Sequence, residues 1–416
     1  MRVLILSQYF SPETFRINEV AQSLRVAGCD VTILTGQPNY PDGVVYEGYR
    51  ALSIGRENIK DCIIYRVPLV PRGRAGSIGL VINYLSFAVS ASVIAPWLLR
   101  GQRFDVIFVY GISPIIQIFP GIVLRRFTGG ALVPWVQDLW PQSLEVTGFV
   151  RKRWLLSIIA RFVCWLYSHS DLLLVQSRGF ITSVSAMSGG TPVEYHPNPG
   201  DLASNSDEDG AASELLQSGF NVVFAGNLGT VQALDTVLAA AKMLRDLQDV
   251  RIVLIGSGSR SEWIRQELKR LELANVELLG RYAAQAMPGI FIQASALLVS
   301  LVRDPIMSQT IPSKIQAYLA AGRPIIASLD GEGARVVEDA KAGLTCPAED
   351  PVALAEAVRK LHAASPEMLA KFGASGRQYY EKHFEPSMLA KKLTDRFVKL
   401  LEARGQGISG KGEREI

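Results

Sequence analysis

"NVVFAGNLGTVQALDTVLAAAK", residues 221–242, runs from an unbroken apolar stretch through a glycine-containing loop into a helical pattern. A short continuous apolar run feeding a helix marks a strand buried on both faces of a parallel sheet. The same pattern stands on both sides of it. Upstream are "RVLILSQ" with a helix over Asn18–Ala27, then "DVTILTG", "DVIFVYG", "LVPWVQD" and "LLLVQS". Downstream come "RIVLIGSG", "VELLG", "ALLVSL", "PIIAS" and "GLTCPA". The segment between the two series, "GDLASNSDEDGAASELLQSG", is rich in Gly, Ser, Asp and Ala and reads as a linker. The sequence therefore predicts an α/β protein of two tandem, doubly wound parallel-sheet domains facing a cleft, with ligands at the carboxyl ends of the strands. The boundaries are 1–200, a linker at 201–218, 219–385, and a closing helix with a frayed polar tail over 386–416.

Bulk properties agree. At 416 residues the chain exceeds the usual growth limit of one core. It is 48% hydrophobic and 20% charged, as packed globular proteins are. A formal charge of +4 is too small to argue for a nucleic-acid partner. Its distribution is more informative, since Arg72 to Arg161 contains ten Lys or Arg against three acids, Asp105, Asp138 and Glu145. Cys29, Cys62, Cys164 and Cys346 lie far apart with no metal spacing, as free thiols of a reducing cytoplasm would. "MRVLILSQYF" reads as a first strand, because a signal peptide needs a longer apolar region.

One stretch allows two readings. Ala75 to Leu99 carries no charge and is bracketed by Arg74 and Arg100, so by length alone it could cross a membrane. A single crossing would put strands of one sheet on opposite sides of the membrane. The segment is then either a buried helix or a hairpin dipping into one leaflet. A helix over Trp154–Tyr167 places Trp154, Leu155, Ile158, Ile159, Phe162, Val163 and Leu166 on one face, next to Arg151, Lys152, Arg153 and Arg161. That composition suits a helix lying on anionic lipid. The joint expectation is a cytoplasmic protein in peripheral contact with an anionic membrane surface.

Three segments invite a phosphate. Gly226, Asn227, Gly229 and Thr230 lie between a strand and a helix, where backbone N–H groups can meet an anion. Gly256 and Gly258 in "LIGSGSRSEW" repeat the arrangement. In "IPSKIQAYLAAG", Ser313 opens a helix and Lys314 stands in its first turn, against the helix dipole. A cation there suits a diphosphate better than it suits the helix. The acidic run "SDEDG" lies in the linker and reads as solvated charge, so no metal site is expected.

Together "FAGNLG", "LIGSGS", "LLGRY" and "PSKIQAYLAAGRPIIAS", with "ILSQYFSPETFRINEVAQSL" and "VQDLWPQSLEVTG" upstream, resemble the GT-B glycosyltransferases of the family 4 type. The match is closest to bacterial transferases that build O-antigen or capsule units with deoxyamino sugars such as N-acetyl-L-fucosamine. The resemblance implies two Rossmann-like domains, a UDP-sugar donor on the second, a lipid-diphosphate-linked glycan acceptor on the first, and transfer with retention and without a required metal or cofactor. It places the nucleobase near Arg281 and Tyr282.

The family usually carries two glutamates with seven residues between them, the second on the ribose. Here Gln309 and Ala317 hold those positions. A deoxy sugar offers fewer hydroxyls, so Gln309 could serve as a neutral amide, and Glu332 in "DGEGAR" could reach the same mouth. On the acceptor side, Glu13 in "SQYFSPETFR" and Asp138 in "QDLWP" sit at strand ends, where a carboxylate can meet a hydroxyl. Two alternatives share the fold: a non-catalytic nucleotide-sugar-binding subunit, and a UDP-sugar 2-epimerase.

Overall fold

The computed structural model describes residues 1–73, 76–146, 149–150, 152–200, 215–216 and 218–405. Most of the linker, the "SDEDG" run, Arg74, Ala75, Arg151 and the tail after residue 405 lie outside the described residues. Two compact units emerge, 1–198 with 386–416, and 199–385.

The first unit holds strands β1 (Arg2–Leu6), β2 (Asp30–Gly36), β3 (Gly55–Ile59), β4 (Cys62–Val67), β5 (Val106–Gly111), β6 (Ala131–Val136), β7 (Leu173–Val175) and β8 (Val193–Tyr195). Their order is β3-β4-β2-β1-β5-β6-β7-β8, parallel except for the β3–β4 hairpin. Its helices are α1 (Arg16–Val26), α2 (Gly76–Leu98), α3 (Ile118–Thr128), α4 (Gln142–Val146), α5 (Arg153–Ser168) and α6 (Gly179–Met187). The second unit contains β9 (Phe220–Ala225), β10 (Val250–Ile255), β11 (Val276–Gly280), β12 (Ala296–Ser300), β13 (Ile325–Ser328) and β14 (Gly343–Cys346), all parallel in the order β11-β10-β9-β12-β13-β14. Around them lie α7 (Leu234–Met243), α8 (Ser261–Arg270), α9 (Met287–Gln293), α10 (Ser313–Ala321), α11 (Glu332–Asp339), α12 (Pro351–His362) and α13 (Pro366–His383). The chain ends in α14 (Pro386–Ala403).

The uninterrupted apolar strands follow from helices on both faces. In β1, Leu4 and Leu6 join one core with Phe87, Ala91 and Ala95 of α2, while Val3 and Ile5 join the opposite core with Leu393 and Phe397 of α14. The closing helix therefore belongs to the first unit and packs beside α1.

The α2 segment is one continuous helix, which corrects the hairpin alternative, and it is also not wholly buried. Gly79, Asn83, Phe87, Ala91 and Ala95 recur every fourth residue and pack inward. Ile78, Ile82, Val89, Val93 and Trp97 face out, Trp97 with 69% of its surface exposed. The single apolar face expected for α5 also divides. Val163 and Leu166 enter the core, whereas Trp154 and Ile158 are exposed.

Candidate active site

In the second unit the loops after β9 and β10 meet the start of α10. They enclose a pocket of about 450 Å³ lined by Gly226, Asn227, Gly256, Arg281, Tyr282, Ser313, Lys314 and Ala317, with Phe291 and Tyr318 among its apolar walls. Seven of the residues expected from sequence thus share one pocket. Tyr318 is fixed from behind, its hydroxyl accepting the Ala225 N–H at 3.0 Å and its ring meeting Phe291 edge-on.

Two cations line the pocket, Arg281 and Lys314, and Lys314 stands at the start of α10. Its Nζ donates to Gln232 Oε1 at 2.8 Å and lies 3.6 Å from the centroid of the Phe224 ring. Burial without an opposing charge lowers its pKa to about 7. An ammonium held by one neutral amide and an aromatic face is poised for an anion. Gln232, on the short turn after the glycine loop, is a site residue that sequence reasoning missed.

The glycines act differently from the expectation. Gly226 N–H donates to Ile255 O at 2.8 Å, Gly256 N–H to Gly280 O at 2.6 Å, and Gly258 N–H to Ser261 Oγ at 2.9 Å. Each amide has one hydrogen and has already committed it. What these positions need is the absence of a side chain. A Cβ on Gly256 (φ +139°) would stand 1.8 Å from Gly226 O, and one on Gly226 (φ +131°) would stand 2.7 Å from Lys314 Cε. The two loops can close, and the lysine can cross them, only with glycine there.

Five expected residues do not line the pocket. Gly229 and Thr230 enter the turn before α7, and Gly258 is tied to Ser261 at the start of α8. Gln309 turns its amide onto Pro305 O at 2.9 Å, closing its own turn. Glu332 is buried at the start of α11 and pairs with Arg335 at 2.7 Å. Neither reaches the pocket lining in this geometry, and Ala317 presents only a methyl group to it.

In the first unit, Asp138 Oδ2 accepts from Ser113 N–H at 3.0 Å and from Ser113 Oγ at 2.9 Å. Trp140 Nε1 donates to the same hydroxyl at 3.1 Å. Oδ1 makes no hydrogen bond among the described residues. Glu13 is a correction to its expected catalytic role. It is 1% exposed, and its carboxylate accepts from Asn39 and Tyr40 N–H at 2.7 Å and from Phe10 N–H at 3.2 Å. Burial raises its pKa against those backbone bonds. It ties the loops after β1 and β2 together, and its burial keeps the remaining lone pair on Oε2 from an acceptor. His196 is likewise internal. Its Nδ1 lies 3.0 Å from Arg396 Nη1, and burial with that cation lowers its pKa to about 3.

Comparison with known proteins accounts for both units. A model described as "Glycosyl transferase 4-like domain" matches residues 14–200, and one described as "Glycosyl transferases group 1" matches 219–364. The chain is a glycosyltransferase of the GT-B fold, assembled from these two domains. Among named relatives, it is 24% identical over 340 residues to WcaI of Escherichia coli K12, named for glycosyl transfer in colanic acid biosynthesis, covering 77% of this chain and 82% of WcaI. It is 22% identical over 312 residues to WbjE of Pseudomonas aeruginosa, named as a glycosyltransferase, covering 71% and 75%. In fold it resembles sucrose-phosphate synthase of Thermosynechococcus elongatus (TM-score 0.70, 17% identity, 97% and 99% covered). It also resembles Anabaena HepE in complex with UDP (TM-score 0.68, 13% identity, 96% and 100% covered).

Proposed function

We propose that the protein transfers a deoxyamino sugar from a UDP-sugar to a lipid-diphosphate-linked glycan, with retention at the anomeric carbon, at the cytoplasmic face of a bacterial membrane. The observation that carries the donor half is Lys314, an ammonium with no carboxylate partner among the described residues, in a nucleotide-sized pocket. The relatives named for colanic acid biosynthesis and glycosyl transfer support a role in O-antigen or capsule assembly.

In this reading Arg281 and Tyr282 hold the base, and Ser313 and Lys314 hold the diphosphate. The bond from the anomeric carbon to the diphosphate oxygen breaks while the acceptor oxygen attacks from the same side. The acceptor's proton passes to the departing diphosphate, so no strong protein base is required. Lys314 stabilises the charge that grows on that diphosphate, where preorganised electrostatics contribute most. Asp138 orients the acceptor hydroxyl through Oδ1. Mass spectrometry of lipid-linked oligosaccharides from cells lacking the protein tests this. An accumulated glycan one sugar short is expected, and an unchanged lipid-linked pool would reject it.

A further inference from the structure

We infer that a slot between α2 and α5 holds the hydrocarbon chain of a membrane lipid, which enters from the apolar outer faces of those helices. Its identity as the acceptor's own chain rests on the function proposed above. The slot, about 750 Å³, is larger than the donor pocket, and its walls include Leu80, Val81 and Leu85 of α2 and Leu155, Ile159 and Phe162 of α5. Polar groups are few and mostly committed. Ser113 is bonded to Asp138, and the Ser143 hydroxyl donates to Leu139 O.

The slot is not a flaw in a core, because its walls continue to the surface. Val81 and Leu85 line it and are themselves 40% and 46% exposed. The outward residues Val93 and Trp97 of α2 and Trp154 and Ile158 of α5 extend the apolar area further. Exposed apolar residues on both helices that wall the slot are what a binding face requires.

Charge identifies the occupant. No acid occurs between Gly76 and Phe104, and α2 has no charge along its 23 residues. The exposed cations Arg100, Arg103, Lys152 and Arg153 stand at the helix ends, with Trp97 and Trp154 close to them in sequence. An apolar centre with tryptophan and cations at its margin matches acyl chains beneath anionic headgroups. A groove for a protein partner would carry hydrogen-bonding groups along its rim. Tyr84 and Asp138 also line the slot, so a phenol and a carboxylate that can meet a hydroxyl stand in its wall.

The test uses the full chain with vesicles of phosphatidylglycerol and phosphatidylcholine containing a diazirine-tagged isoprenoid diphosphate. Photolabelled peptides should contain Leu80–Leu85 and Leu155–Phe162, and unlabelled isoprenoid diphosphate should compete while inorganic pyrophosphate should not. Leu85→Trp and Ile159→Trp, which fill the slot, should each cut labelling about tenfold, the worth of roughly two buried methylenes. Melting curves establish that the variants fold, and either one that does so suffices. Labelling unaffected by filling, confined to the outward Val93–Trp97 stretch, or absent from the folded wild type would overturn the inference. Intact slot labelling without sugar transfer to the same lipid would instead reject the acceptor reading and leave the slot standing.

Discussion

Lys314 Nζ and Gln232 Oε1 lie 2.8 Å apart although 82 residues separate them in the chain. The pair joins the first turn of α10 to the turn that follows the glycine loop. It holds the cation over the pocket without neutralising it. Lys314→Ala should weaken UDP-sugar binding about ten- to a hundredfold, the worth of a charge-assisted contact of roughly 1.5–3 kcal/mol. Gln232→Ala should cost less. In a double-mutant cycle by calorimetry the two losses should be less than additive, because the amide acts through the lysine. Full additivity would separate them.

Donor affinity should depend on pH through Lys314. Its pKa, lowered to about 7 by burial, rises when a diphosphate supplies the missing counter-charge. Binding then takes up a proton above pH 7, so UDP-sugar affinity should fall as pH rises from 7 to 9, approaching about tenfold per unit. The diphosphate of a UDP-sugar, a diester, keeps its charge across this window. The ligand-free protein runs the other way. Its lysine is depressed from 10.5, so the cost of burying the charge diminishes as pH climbs above 7. A flat affinity profile would mean the lysine is fully charged before the donor arrives.

Ala317 lines the pocket where the family's ribose-binding glutamate would be expected. Ala317→Glu should weaken donor binding by about tenfold or more, since the carboxylate gains no prepared donors and adds like charge beside the diphosphate. Titration with UDP-sugar decides this. Tighter binding would show a site that had merely lost its ligand.

Glu13→Ala should lower stability by roughly 2–3 kcal/mol by stripping three backbone amides of their acceptor. UDP affinity, a property of the other unit, should be unchanged. A thermal melt identical to wild type would return Glu13 to the list of reactive groups.

Much of the fold was legible because its strands are buried on both faces and read as unbroken apolar runs. The β3–β4 hairpin was not. β3, "GRENI", lies at the sheet edge and alternates between exposed and part-buried, so it carries no such run. In α2 the difficulty is opposite, since a helix apolar all round cannot declare which side is covered. Lys314 was legible because a cation in a first helical turn opposes the dipole. Its partner Gln232 was not, because nothing local marks a contact made across 82 residues. Glu13 was misjudged for a physical reason. The end of a strand suits a reactive carboxylate and a loop anchor equally, and only its three amide bonds tell them apart.

The central claim is sugar transfer to a lipid through Lys314. It is tested most directly by incubating the protein with a panel of radiolabelled UDP-sugars and a bacterial polyprenyl-diphosphate-glycan extract, then counting label in the organic phase. One UDP-deoxyamino sugar should deliver label to lipid with wild-type protein. Asp138→Asn should transfer it slowly while binding donor normally, and Lys314→Ala should transfer almost none. Label that never leaves the aqueous phase, or that moves equally well with Lys314→Ala, would contradict the account.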